Sequence, residues 1–293
     1  MTSARRRVLI VGDRRRPGVA EGVRLHRSRL AERVELVGED LDERIDLATA
    51  EADLVLVFGG DGSILHVARR LGTNPIPVLG VNYGRFGFLA DLAPEQLDEG
   101  IDRWLQGAAE LHRRTRLDVT WLRGERLGGR WLALNDVVVG RSELGRMVDV
   151  DVGIDGRHAI RFSGDGLILA SPTGSSAHAV AAGGPLLDPT IEAIVMVPIA
   201  AHSLSTRPLV LSGRHVFRLT VAESRTPATF TVDGADAMHL APDDAIEVAK
   251  SASPLTLVRV FGGPFYETLR RKLGWRGRPY YPTDPEPPVE DEA

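Results

Sequence analysis

The chain contains no cysteine in its 293 residues. That excludes disulfides, thiolate nucleophiles and cysteine-held zinc, and it fits a reducing compartment. Lysine is nearly as scarce, with Lys250 and Lys272 the only two among 36 basic residues. Neither lies in a glycine-rich stretch, so the sequence has no Walker A phosphate cradle and no protein-kinase lysine. The arginine surplus reads as compositional bias of little functional weight. Long apolar runs are also missing, since none approaches the roughly 18 residues of a membrane span. After Arg5, Arg6 and Arg7, the run Val8-Leu9-Ile10-Val11 already ends at Gly12-Asp13. A signal peptide needs roughly 7–15 apolar residues there, so a first β-strand, a cytoplasmic location and no membrane partner are expected. The patterns His-Glu-x-x-His, Gly-x-Ser-x-Gly and Gly-x-Gly-x-x-Gly do not occur.

What is present is ordinary in bulk. Hydrophobic residues make up 43% and charged residues 26%, enough for a packed core and a soluble surface. The length fits two domains or one large one, and 31 glycines with 18 prolines promise many loops. The net charge is −4, yet Asp284, Glu286, Glu290, Asp291 and Glu292 crowd the last ten residues. Without them the formal charge is about +1, so bulk charge predicts no nucleic-acid partner.

Patterning divides the chain. Strands are expected at 7–11, 34–37, 54–58 and 76–81, with helices at 19–33, 64–71 and 94–105 between or after them. Short apolar runs alternating with helical periods imply βαβ units on a parallel sheet. After about residue 112 come closely spaced strand candidates at 115–122, 130–139, 148–154, 158–162 and 167–170. Others follow at 193–198, 216–221, 229–232, 245–249 and 255–260, interrupted by one small-residue helix beginning near Ser175. The fold class is therefore an α/β N-terminal domain with a parallel sheet plus a β-rich C-terminal domain. The expected boundaries are 1–112, 113–262, an amphipathic tail at 263–280, and an acidic, disordered stretch at 281–293.

The strongest local feature is the strand Leu54-Val55-Leu56-Val57-Phe58 running into Gly59-Gly60-Asp61-Gly62-Ser63 and a helix. Such turns are where α/β proteins bind anions. A carboxylate beside phosphates is repulsive unless it holds a metal or accepts a proton from the attacking hydroxyl, both of which phosphoryl transfer needs. Asp61 otherwise reads as a helix cap. Asp165-Gly166 and Asp233-Gly234 read most simply as hairpin turns. Asn135-Asp136 interrupts the apolar run Ala133 to Val139, where buried polar side chains would need partners. A ligand would supply them, as would a bulge or strand end. The stretch Ser171-Pro172-Thr173-Gly174-Ser175 offers hydroxyls and amides at a helix start, suited to a nucleotide or to simple capping. His178 and His202 have no metal spacing and read as packing or hydrogen-bonding residues.

In order along the chain these segments resemble the NAD kinase family. The resemblance rests on Gly59-Gly60-Asp61-Gly62-Ser63, Gly80-Val81-Asn82-Tyr83-Gly84-Arg85-Phe86-Gly87-Phe88-Leu89 and Asn135-Asp136. It continues through Asp165-Gly166-Leu167-Ile168, Pro172-Thr173-Gly174-Ser175 and Ala182-Gly183-Gly184-Pro185. It closes with His202 to Leu209, Val232-Asp233-Gly234 and Phe265 to Trp275, so it spans roughly 7–276. The first motif is shared with phosphofructokinases and lipid kinases, whose fold is related; the later blocks are the specific ones.

The resemblance implies phosphorylation of the adenosine-ribose 2′-hydroxyl of NAD to give NADP, with ATP or polyphosphate as donor and a divalent metal, Mg²⁺. It implies a homodimer or homotetramer and a tail returning to the first domain. Asp61 would act on the hydroxyl, with Gly60 and Gly62 at the phosphates and His66 where a basic residue is usual. Asn135 and Asp136 would contact the adenosine half, Arg146 and Asp165 would be further ligand contacts, and Thr173, Ser176, Ala177, His178 and Ala181 would line the pocket. Asp136 stands where glutamate is usual, His178 where tyrosine is, and Ala235 where glutamine is frequent. Two rival readings are an NAD(P)-binding sensor without catalysis, motivated by His178 and Ala235, and a lipid or sugar-phosphate kinase sharing only the Gly-Gly-Asp-Gly turn.

Overall fold

The computed structural model describes residues 5–84, 87–142, 147–203, 205–221 and 227–274. The expected alternation opens it, as β1 (Arg7–Gly12), α1 (Val19–Arg33), β2 (Glu35–Asp40), β3 (Leu54–Phe58), α2 (Asp61–Leu71), β4 (Val78–Val81), α3 (Leu97–Leu105) and β5 (Glu110–Arg114). There follow β6 (Leu117–Arg123), β7 (Arg126–Ala133), β8 (Asp136–Arg141), β9 (Val148–Ile154), β10 (Arg157–Gly164), β11 (Gly166–Ala170) and α4 (His178–Ala181). The last are β12 (Ala193–Ile199), β13 (Leu209–Ser212), β14 (Phe217–Val221), β15 (Ala228–Val232), β16 (Ala235–Leu240), β17 (Asp244–Lys250), β18 (Leu255–Arg259) and α5 (Phe265–Leu273).

The first sheet has the order β2-β1-β3-β4-β18-β5, parallel except for β5 against β18. All five residues of β3 are buried, as a central parallel strand covered on both faces requires. Along β1 the side chains alternate between two cores. Val8 and Ile10 join Val23, Leu30 and Ile101 on the α1–α3 face, and Leu9 and Val11 join Ile64, Val67 and Leu71 on the α2 face. From β1 the chain turns outward to β2, then returns across β1 to β3 and β4. That reversal leaves a crevice at the carboxyl ends of β1 and β3, where open α/β sheets bind ligands.

The β-rich part is two antiparallel sheets, β10-β9-β14-β17-β6-β7 and β13-β12-β11-β8-β15-β16. Their inner faces share one core, with Val119, Val150, Phe217 and Ile246 from the first and Val137, Leu169, Met196 and Phe230 from the second. Period-two alternation is visible in β9, where Val148, Val150 and Val152 point inward.

Several sequence expectations are corrected. The single strand at 130–139 is two strands in different sheets, broken at Leu134-Asn135. The helix near Ser175 is a 3₁₀ turn, Gly174–Ser176, followed by the single turn α4, with Ala177 (φ −102°, ψ −121°) breaking the path between them. Asp165-Gly166 is no hairpin, because it carries the chain from β10 in one sheet to β11 in the other. Helix α2 starts at Asp61, three residues before the expected 64, so the acid belongs to the helix's first turn. Strands β5, β13 and β16, short or polar, carry too little pattern to be read from sequence.

The chain leaves the first sheet after β5 and returns to it through β18. The two crossings touch, since the Ser251 N–H donates to the Arg116 carbonyl at 2.8 Å. Arg116 is 1% exposed, and its guanidinium donates to Ser253 O (2.6 Å), Gly72 O (2.8 Å) and Ala68 O (3.3 Å). It thus ties both crossings to the last turn of α2. Gly263–Ala293 is a unit apart from Met1–Gly262. Its described part is α5, in which the Arg270 guanidinium lies 5.7 Å from the Tyr266 ring centroid. No helix among the described residues is long and apolar enough to cross a membrane.

Candidate active site

The β3–α2 turn ends in Gly60, which caps α2 without a side chain, and the Gly62 N–H at the helix start makes no hydrogen bond among the described residues. Asp61 does not cap its own helix. Its carboxylate accepts the Phe88 N–H (2.8 Å) and the Leu89 N–H (3.0 Å) from the loop after β4. That loop approaches so closely that a Cβ on Gly87 would overlap the Asp61 carboxylate. Its near end is anchored by Tyr83, stacked on Phe58 at 5.6 Å and seated over Gly22 of α1, where a Cβ would strike the phenol. Gly87→Ala is therefore expected to lower kcat by about 10–100-fold through misplacing Asp61, with the melting temperature little changed. Steady-state kinetics beside a thermal melt check this, and an unchanged kcat would remove the loop from the positioning of Asp61.

In the crevice between β1 and β3 lies a cleft of about 250 Å³, lined among others by Asp13, Arg15, Arg16, Ser63, His66 and Arg69. Its titratable lining is Arg15, Arg16, Arg69 and His66 against the acids Asp13 and Glu43. Arg16 Nη2 would lie 3.6 Å from a Cβ on Gly62, so it stands over the start of α2. Arg15 donates to Asp13 at 2.8 Å, and this hydrogen bond holds the Asp13 carboxyl below its ordinary range. His66 Nε2 lies 3.4 Å from Glu43 without hydrogen-bond alignment, and the buried Ser63 hydroxyl has no partner. Cationic side chains, an orphan hydroxyl and the Gly62 N–H at a helix start make a site for an anion.

A second cluster forms where β7 breaks. The amides of Leu134, Asn135 and Asp136 all donate to the Asp233 carboxylate, at 2.8, 2.7 and 3.1 Å. Asp233 (φ 51°) and Gly234 (φ 67°) form the left-handed turn between β15 and β16, a backbone state that Asp tolerates and Gly favours. On the other side, Ser171 N donates to Asn135 O (2.8 Å) and Ser171 Oγ to Leu134 O (2.5 Å). With the backbone satisfied, the Asn135 and Asp136 side chains make no hydrogen bond among the described residues, although Asp136 is only 4% exposed. Thr173 Oγ1 is likewise buried and partnerless. Leu134 packs in one core with Ile64, Leu89 and Ala90, which sets the break against the Asp61 loop and α2.

Burial, and then the neighbouring Asp233 charge, push the Asp136 carboxyl up to about 7. Burial raises Asp233 too, partly offset by its three amide donors. The folded state therefore holds protons that the unfolded chain has released between about pH 4 and 7. Stability from this source is present at the acid end and is lost as the pH rises through that window, by on the order of 4 kcal/mol for Asp136. Asp136→Asn is expected to flatten the fall. Urea midpoints at pH 4.5 and 7.5 measure it, and equal slopes in both proteins would refute it.

Two family patterns match the chain, the ATP-NAD kinase N-terminal domain over residues 21–109 and the ATP-NAD kinase C-terminal domain over 134–260. The chain belongs to the NAD kinase family. The NAD kinase of Rhodopirellula baltica is 37% identical over 272 residues, covering 93% of this chain and 88% of that one. The NAD kinase of Teredinibacter turnerae is 41% identical over 233 residues, 79% of either chain. Among solved structures, yeast NADH kinase complexed with NADH superposes with a TM-score of 0.86 at 25% identity, covering 97% of this chain and 91% of that one. An NAD kinase from Archaeoglobus fulgidus in complex with ATP gives 0.73, also at 25% identity, covering 92% and 97%.

Of the residues that the NAD kinase resemblance points to, Gly60, Asp61, Gly62 and His66 stand together at the first turns of α2. Asn135, Asp136 and Thr173 come together through the contacts of Ser171, and Ser176 donates to Thr173 O at 3.1 Å. Ala177 is half-buried, while His178 and Ala181 are exposed on α4. Asp165 is not in this cluster. It precedes the end of β11 opposite to the one that pairs with Asp136, and it holds Arg141 at 3.1 Å. Arg146 lies outside the described residues. Sequence reading gave no role to Arg15, Arg16 and Arg69, and it named Ser171 and Asp233 only within their motifs, without the contacts they make to residues 134–136. The arginines were masked by the general arginine surplus, although Arg14-Arg15-Arg16 directly after a first strand was a signal. Asp233 carried its turn and its motif, but no sign of its contact with residues 134–136.

Proposed function

We propose that the chain transfers a phosphoryl group to the 2′-hydroxyl of the adenosine ribose of NAD, producing NADP. The observation that carries this reading is the pairing of two unlike sites around one acid. A basic cleft meets the helix start at Asp61, and next to Leu134, which packs against the Asp61 loop, stand the half-buried Asn135, the buried Asp136 and the buried, partnerless Thr173 hydroxyl. The first suits phosphates and the second suits the hydroxyls and base of a nucleoside. Proteins of this family carrying NADH and ATP support the assignment of the ligands.

Asp61 accepts the 2′-hydroxyl proton as the oxygen attacks the terminal phosphorus of the donor, and the remaining phosphate chain leaves. Arg15, Arg16 and Arg69, with the Gly62 N–H, neutralise charge on the transferring group. His66 reinforces them when protonated. Asn135 and Asp136 hold the adenosine ribose, with Thr173, Ser176, Ala177, His178 and Ala181 along the pocket. The described residues contain no group of three or more His, Asp or Glu fit to hold a cation. Mg²⁺, which a site can bind through substrate phosphates and water with few protein ligands, would enter with the donor and would neutralise charge on the transferring group. The donor is ATP or polyphosphate, and the protein works in the cytoplasm as a homodimer or homotetramer.

An activity matrix tests the reading, with ATP and polyphosphate crossed against NAD and NADH in the presence of Mg²⁺. NADP or NADPH should form in at least one combination. Nucleotide binding without turnover in every combination would sink it.

A further inference from the structure

We infer that Asp233 and Ser171 are positioning residues for the acceptor nucleotide, gripping residues 134–136 from opposite sides and thereby aiming the Asn135 and Asp136 side chains. The inference rests on the function proposed above and adds to it two residues that touch no ligand. At the break between β7 and β8, the ladder no longer satisfies the backbone, and each orphaned buried group must find another partner. Two residues take all of them. Asp233 receives three consecutive N–H groups on one carboxylate, and its own N–H donates to Asp136 O at 2.9 Å. Ser171, 0% exposed, takes the two remaining carbonyls with its N–H and its hydroxyl. The same hydroxyl accepts the Gly174 N–H at 3.1 Å. That bond docks the turn carrying Thr173 so tightly that a Cβ on Gly174 would overlap Asn135 O.

Because the backbone needs nothing from them, Asn135 and Asp136 keep their own polar atoms for a ligand. A carboxylate is suited to this grip, since two oxygens with several lone pairs accept three amides without bringing a donor that would clash. Asparagine at 233 keeps one accepting oxygen and turns an NH₂ toward one of the amides. It should therefore loosen the segment without emptying the site, whereas alanine removes the grip altogether.

The test measures kcat, the KM of each substrate and the equilibrium dissociation constant of NAD, together with thermal melts. The proteins are the wild type, Asp233→Asn, Asp233→Ala, Ser171→Ala and Asn135→Ala, and the double variant Asn135→Ala with Asp233→Asn. Asp233→Asn should raise KM and the dissociation constant for NAD about tenfold and leave KM for ATP within about twofold. Asp233→Ala should do so more strongly and Ser171→Ala in the same direction. In the Asn135→Ala background the Asp233→Asn change should add less than about twofold, because its effect passes through the residue already removed. The inference is overturned by NAD affinity unchanged in Asp233→Asn and Ser171→Ala. It is equally overturned if both KM values rise together with a falling melting temperature, or if the two effects multiply in the double variant. Wild-type protein that binds NAD but makes no NADP would defeat the proposed reaction alone, and the binding constants would still decide this point. Should Asp233→Ala not fold, Asp233→Asn and Ser171→Ala carry the test.

Discussion

Asp61→Asn is expected to lower kcat by about 10²–10⁴-fold, the range that a positioned general base contributes, while NAD affinity changes little. Asparagine fills the same space and keeps one oxygen for the loop amides of Phe88 and Leu89, but it cannot take the 2′-hydroxyl proton. Its NH₂ will face one of those amides, which should cost about 1 kcal/mol of stability and no more. NADP formation and NAD binding measured side by side separate the two effects. A variant turning over at the wild-type rate would exclude Asp61 as the base. A variant that loses binding and rate in equal measure would make Asp61 a ligand contact instead.

A second large effect is expected on stability. Arg116→Met should destabilise the fold by about 3 kcal/mol, roughly 1 for each of the three carbonyls left without a donor. Methionine keeps most of the volume, so little of the loss comes from a cavity. Burial pushes the Arg116 pKa down, and Asp118 and Asp233 push it back up, so the site is set for a cation that gives hydrogen bonds in a fork. Lysine at this position cannot serve three carbonyls in different directions and should recover only part of the loss. Urea unfolding with an unchanged m-value is the measurement, and a shift below about 1 kcal/mol would show that the two crossings are held without Arg116.

Much of the architecture was legible because local patterning and tertiary need agree. The buried run Leu54–Phe58 and the alternation of β9 each admit one element type, and the Gly-Gly-Asp-Gly turn ends the parallel strand β3 as its glycines suggest. Legibility failed where an element is held by distant partners. The break at Leu134-Asn135 looked like one strand because its apolar pattern continues across it, and only a carboxylate some hundred residues later, at Asp233, ends the ladder there. The expected helix at Ser175 became a turn because Ser171, Ser175 and Leu187 tie it down, with Leu187 N donating to Ser175 Oγ at 2.9 Å.

The absence of cysteine and the near absence of lysine were decisive from the sequence alone. They removed disulfides, thiolates and the lysine-based phosphate cradles, and left arginines and helix-start amides to meet a phosphate chain. Arg15, Arg16 and Arg69 stand among 34 arginines, and composition could not say which mattered. Tertiary structure brings these three to one cleft, because the reversal of strand order at β1 opens a crevice there. Charge acts through distance, and distance between residues far apart in the chain exists only in the fold.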